Sequence, residues 1–130
     1  MKLFSIYFFS ILLKKSSANF KYPLSGRISS AYGYSQALDG TWKEYKKSTG
    51  NRYHRRSNFA HSTNFIGWYA DKTKRLLGIS KNNAYLQYLA YHQGQAGFKT
   101  GAYKNKKGLL EVANKTAFNK KKFDRQLKKC

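Results

Sequence analysis

Between Ser57 and Gly78 the apolar residues Phe59, Ile66, Ala70 and Leu77 fall, with Thr63 and Thr73, on an i, i+4, i+7 series. That period matches one face of an α-helix and excludes a half-buried strand, which alternates every second residue. Ser57 and Asn58 supply N-terminal caps, and Gly78 supplies a stop. A helix of this length needs something to pack on. The rest of the chain shows the same helical spacing between its glycines, so the expected class is mostly α.

Upstream, Asp39 or Thr41 can cap a shorter helix, and Thr41 with Glu44 has the capping-box spacing. This helix is expected from about Thr41 to Ser48, ending at Gly50. Downstream, a helix starting at Asn82 or Asn83 would carry Tyr85, Leu89 and His92 on one face and end near Gly94. The Gly- and Lys-rich stretch 95–108 reads as loop. From Leu109, the series Val112, Ala113, Thr116, Ala117, Phe123 and Leu127 forms a last, strongly basic amphipathic helix. Such a helix suits a membrane surface, a nucleic acid, or simply solvent over a buried stripe.

With 130 residues the chain has room for one core. Its 17% aromatic content sets it apart from disordered chains, despite a formal net charge of +21. That charge attracts any polyanion: nucleic acid, anionic lipid or anionic cell-wall polymer. It does not choose among them. The only cysteine is Cys130, so an internal disulfide and a multi-thiolate metal site are both excluded. His54, His61 and His92 do not have a metal-ligand spacing; His54 and His61 would share a helix face only in an unbroken helix, which Ser57 and Asn58 argue against. No phosphate loop or dinucleotide fingerprint is present, and no cofactor is expected. GYSQA at 33–37 lacks the second glycine of a nucleophile elbow.

Residues 1–20 combine Lys2 with an apolar stretch from Leu3 to Leu13. The stretch has the length of a signal-peptide core and falls short of the ~20 residues of a membrane span. SerSerAla at 16–18 offers small residues for cleavage, while Lys14 and Lys15 stand where export signals avoid positive charge. The expected organisation is a signal-like segment at 1–20 and a domain at 21–130, in the cell envelope or periplasm if exported.

Two stretches carry a family resemblance. SSAYGYSQALDGTW at 29–42 is similar to the GAxGLMQ-like second motif of lytic transglycosylase domains, with Gly33 and Gln36 in matching positions and Tyr34 and Ser35 in place of Leu and Met. LAYHQGQAGF at 89–98 is similar to that family's AYNAG motif through Ala90, Tyr91 and Gly94, with His92 replacing Asn. Small envelope-associated members read YHEG here, and Gln93 stands at their Glu. The order of the motifs and the joining helix with FIGWYA at 65–70 fit as well.

The resemblance implies a lysozyme-like helical lobe acting on peptidoglycan glycan strands. It places Gln36 in the glycan-binding cleft and Tyr91 beside the catalytic acid, with Tyr34, His92 and Gln93 as further substrate-binding residues. The alternative for Tyr91 is a helix tyrosine packed on the core with its hydroxyl at the edge.

A lytic transglycosylase needs one carboxylic acid that protonates the glycosidic oxygen and then accepts the C6 hydroxyl proton. In the family that Glu precedes the second motif. Here residues 1–28 hold no Asp or Glu, and none of Asp39, Glu44, Asp71, Glu111 or Asp124 stands at that position. The expectation is a truncated, incomplete lobe that is inactive as it stands, with both the acid and a partner for Cys130 in a segment upstream. The competing expectation is a small basic nucleic-acid-binding protein using lysines for phosphate and tyrosines for stacking.

Overall fold

The computed structural model describes residues 30–129. The signal-like segment 1–20, the stretch 22–26 and Cys130 lie outside the described residues. Among the described residues five α-helices follow one another: α1 (Asp39–Thr49), α2 (Phe59–Leu77), α3 (Ala84–Gln93), α4 (Gln95–Lys99) and α5 (Lys107–Leu127). A 3-10 turn at Ala102–Asn105 precedes α5. Among the described residues the β contribution is a single antiparallel bridge between Tyr32 and Ala37. The chain divides into two units, one ending at Trp68 and the other beginning at Tyr69, so the division falls within α2.

In the first unit the core is aromatic. Trp42 and Tyr45, one helical turn apart on α1, meet Phe65 with ring centroids at 5.1 and 5.4 Å, and Tyr45 also meets Trp68 at 5.5 Å. Tyr45, Phe65 and Ile66 are fully buried. Edge-on and tilted rings of this kind add to the burial of apolar area.

α1 starts earlier than its cap residues suggest. Leu38 holds the N-cap position without a side-chain cap, and the Asp39 N–H donates to Ser30 Oγ at 3.2 Å. Thr41 therefore lies inside the first turn, and the capping box with Glu44 does not form. Asp39 remains near the positive helix end, and Gly50 closes the helix at φ 73°.

α2 begins where the sequence places it: Asn58 Oδ1 accepts the His61 N–H at 3.0 Å. It ends at Gly78, at φ 68°. In the second unit, Asn83 caps α3 by accepting the Leu86 N–H at 3.1 Å. α3 differs from the expected one-face helix: Gln87, Tyr88, Leu89 and Ala90 are all buried, while Tyr85 is half-buried and His92 exposed. Four consecutive buried residues cover the full circumference of a helix, which marks α3 as the centre of this unit. Gln87 enters that core because Nε2 reaches the Ile79 carbonyl at 3.3 Å. α3 packs on α5, where Ala113 and Thr116 are buried.

The stretch 95–108 is not loop. It contains α4 and the 3-10 turn, joined through Gly101 at φ 72°. Phe98 and Tyr103 stack with centroids 4.8 Å apart. This pairing rewards two short helical pieces that local composition does not favour. Leu127, expected on the buried stripe of α5, is exposed.

Candidate functional site

The resemblance-bearing residues fall into two groups, one in each unit. The first is the turn Tyr32–Ala37. Its ends are held by the Tyr32 N–H donating to the Ala37 carbonyl at 3.3 Å, and its centre by the Gln36 N–H donating to the Gly33 carbonyl at 3.1 Å. Gln36 Nε2 donates to the same carbonyl at 2.8 Å. Gln36 adopts φ 52°, alone among the described non-glycine residues in the left-handed region. That conformation costs ~1–2 kcal/mol for a residue with a Cβ.

Arg56 holds this turn in place. Nη1 donates to the carbonyls of Ser30 at 2.9 Å and Ala37 at 2.8 Å, while Nη2 pairs with Asp39 at 2.5 Å. Its guanidinium lies over the Tyr32 ring at 5.3 Å, and its side chain is only 16% exposed. The backbone takes part too, since the Arg56 carbonyl accepts from the Tyr34 N–H at 3.1 Å and from Ser62 Oγ at 2.9 Å. Gly33 packs directly beneath it. A Cβ at Gly33 would fall 2.1 Å from the Arg56 carbonyl oxygen, so both this approach and φ 73° require glycine. The result is a fixed platform that presents Tyr34 and Gln36 to solvent, with the Tyr34 ring set edge-on against Phe59 at 5.7 Å.

Beside this platform lies a polar network that sequence spacing does not reveal. The Tyr45 hydroxyl donates to Asn64 Oδ1 at 2.9 Å and contacts His54 Nδ1 at 2.6 Å. His54 stacks on His61 with centroids 4.0 Å apart, although the helix begins only at Phe59. The loop 50–58, not a shared helix face, joins the two rings. His61 Nδ1 accepts the Arg55 N–H at 3.0 Å. Burial, and secondarily the neighbouring His61, hold the His54 imidazole below its ordinary pKa. Burial pushes the Tyr45 and Tyr88 phenols up, with the Asn51 contact partly opposing this at Tyr45.

The second group sits at the C-terminal end of α3. Tyr91 is half-buried and packs edge-on against Tyr69 at 4.9 Å, so it has the core contact that its helical position suggests. Gln93 Nε2 donates to His92 Nδ1 at 3.0 Å, and Gln93 Oε1 accepts from Lys106 Nζ at 3.1 Å. A glutamate at position 93, as in the YHEG form of the motif, would meet Lys106 as an ion pair.

A family model described as a transglycosylase SLT domain matches residues 11–130. The chain belongs to the transglycosylase SLT domain family. Its helical architecture is that of the lysozyme-like domains of this family, and membership assigns it a peptidoglycan-related, lytic transglycosylase type of function. No curated protein and no solved structure matches the chain.

The carboxylates of this SLT domain are engaged at its surface. Asp39 pairs with Arg56, Asp71 with Lys81 at 2.6 Å and Asp124 with Lys120 at 2.6 Å. Glu44 and Glu111 are exposed on α1 and α5. Among the described residues no cluster of three or more His, Cys, Asp or Glu side chains is arranged to hold a metal ion. Arg56 is the principal site residue that sequence reasoning misses. It sits in the run ArgTyrHisArgArg at 52–56, where nothing separates it from its charged neighbours.

Proposed function

We propose that this SLT domain holds peptidoglycan glycan strands without cleaving them. The observation that carries this reading is Gln36 at φ 52°, an energetically costly conformation clamped by Arg56 and left exposed. With one Nε2 hydrogen directed to the Gly33 carbonyl, the other and Oε1 remain for sugar hydroxyls or N-acetyl groups, and the Tyr34 ring offers a sugar face a stacking surface. Tyr91, His92 and Gln93 provide a second set of contacts on their own unit.

The absence of cleavage follows from the acid inventory. A general acid for glycoside chemistry has to be a protonated carboxyl in a sheltered cleft. Asp39, Asp71 and Asp124 are instead paired with cations, and Glu44 and Glu111 face solvent. Residues 1–29 contribute no Asp or Glu. In this reading residues 1–20 direct the domain at 21–130 to the cell envelope, and the charge of +21 holds it among anionic envelope polymers.

Pelleting with purified sacculi at about 0.15 M salt tests the proposal. The wild-type chain should co-sediment, Gln36→Ala and Tyr34→Ala should each weaken binding about fivefold, equivalent to about one hydrogen bond or one ring contact, and no 1,6-anhydromuropeptides should be released. DNA binding in parallel should collapse steeply with salt. Release of anhydromuropeptides that Gln36→Ala abolishes would overturn the non-cleaving reading. Sacculus binding indifferent to both substitutions would overturn the site.

A further inference from the structure

We propose that the outward face of α5 docks on an anionic lipid bilayer, with Phe118 inserted at its centre. α5 buries Ala113 and Thr116, and the opposite side of the helix carries Lys107, Glu111, Lys115, Phe118, Lys122 and Arg125 at successive helical turns. All of these are exposed, Phe118 to 63%. Lys121 flanks the row and is exposed as well. Of the two carboxylates on α5, Asp124 is held by Lys120 at 2.6 Å, which leaves Glu111 as the acidic member of the outward row. The helix offers a straight strip of cations about 27 Å long at 1.5 Å per residue, interrupted in the middle by a hydrocarbon ring.

The ring decides the class of partner. Lysines alone suit any polyanion, but a hydrated wall polymer has no apolar phase to receive a phenyl group. Single-stranded nucleic acid does, yet it is gripped by successive aromatics that stack successive bases, and the outward row of α5 presents one. An anionic bilayer satisfies both features, with lipid phosphates for the lysines and the boundary between headgroups and acyl chains for Phe118. No described helix is long and apolar enough to cross a membrane, so α5 would lie in the interface plane. This inference does not depend on glycan binding; vesicle binding without sacculus binding would leave it standing.

The test uses the full chain and vesicles of phosphatidylcholine alone or with about 30% phosphatidylglycerol, at about 0.15 M salt. Partitioning should be at least about tenfold stronger onto the anionic vesicles. Phe118→Ala should weaken it about five- to tenfold, and Lys121→Gln with Lys122→Gln about 30-fold. Lys43→Gln with Lys47→Gln removes the same charge from exposed positions on α1 and should change it less than about threefold. Circular dichroism of each variant checks that the fold is kept. Equal losses from the two double variants would mean diffuse charge attraction and overturn the proposal. Unchanged vesicle binding by Phe118→Ala would overturn it too, as would a loss confined to single-stranded DNA.

Discussion

The two units of this SLT domain solve the same packing problem differently. Among its described residues, the unit ending at Trp68 has little regular structure outside α1 and the first half of α2, and it depends on one arginine, one glycine and a cluster of large rings. The unit starting at Tyr69 is almost entirely helical and centres on α3, where Leu89 and Ala90 are fully buried. One is held by directional bonds to specific atoms, the other by close-packed helix surfaces. The directional unit should be brittle toward conservative changes at Gly33 and Arg56 and tolerant elsewhere. The packed unit should respond in proportion to the volume removed.

Substitutions can break or sharpen that contrast. Gly33→Ala should have the largest effect, about 4 kcal/mol, because the added methyl meets the Arg56 carbonyl and the left-handed backbone penalty adds to it. Urea unfolding followed by tryptophan fluorescence measures it well, since Trp42 and Trp68 both lie in the first unit. A loss below about 1 kcal/mol would show that the turn relaxes easily. Leu89→Ala should cost about 3 kcal/mol in the second unit, and Leu89→Met under about 1.5 kcal/mol, as expected of volume-dependent packing. Far-UV circular dichroism reports both.

Arg56→Lys should cost about 2 kcal/mol although the charge is kept, because an ammonium cannot hold two carbonyls and a carboxylate with one planar fork. If Lys is as good as Arg, the first unit is held by charge and not by geometry. Tyr45→Phe should cost about 1 kcal/mol by leaving Asn64 and His54 without their shared hydroxyl.

The smallest expected effect is on pH dependence. His54 has its folded-state pKa lowered by burial and by His61, so the unfolded chain binds the proton more readily. Stability from this group is complete above the ordinary histidine value of about 6.5 and is lost as pH falls through the lowered folded value. Thermal melts from about pH 7.5 down to about 5.5 should show a falling Tm that His54→Gln flattens. A rise in Tm over that range would reverse the assigned sign.

Much of the candidate site was legible through its motif residues, and less through its supports. Gly33 and Gln36 stand out in sequence, and the structure supplies their reason: one accommodates a backbone approach, the other a left-handed turn. Tyr91 illustrates the limit of a motif. Its packing on Tyr69 gives it a structural role regardless of any glycan contact. The stretch 95–108 reads as loop because of its glycines, but Gly97 costs a helix only about 1 kcal/mol, Lys is itself a good helix former, and the Phe98–Tyr103 stack is worth a similar amount.

Sequence by itself determined the helical class, the starts of α2 at Ser57 or Asn58 and of α3 at Asn82 or Asn83, and the stops at Gly50, Gly78 and Gly94; the structure selects Asn58 and Asn83 as the caps. These signals work within about four residues of chain, the reach of a cap or a helical turn. Tertiary structure alone decided which arginine of the run 52–56 becomes the clamp, which faces of α3 are buried, and that His54 meets His61 outside a common helix. The side-chain partners of Arg56 lie 17, 19 and 26 residues away. No local period encodes a bond of that reach; it exists only once the chain has folded back and its carbonyls are withdrawn from water.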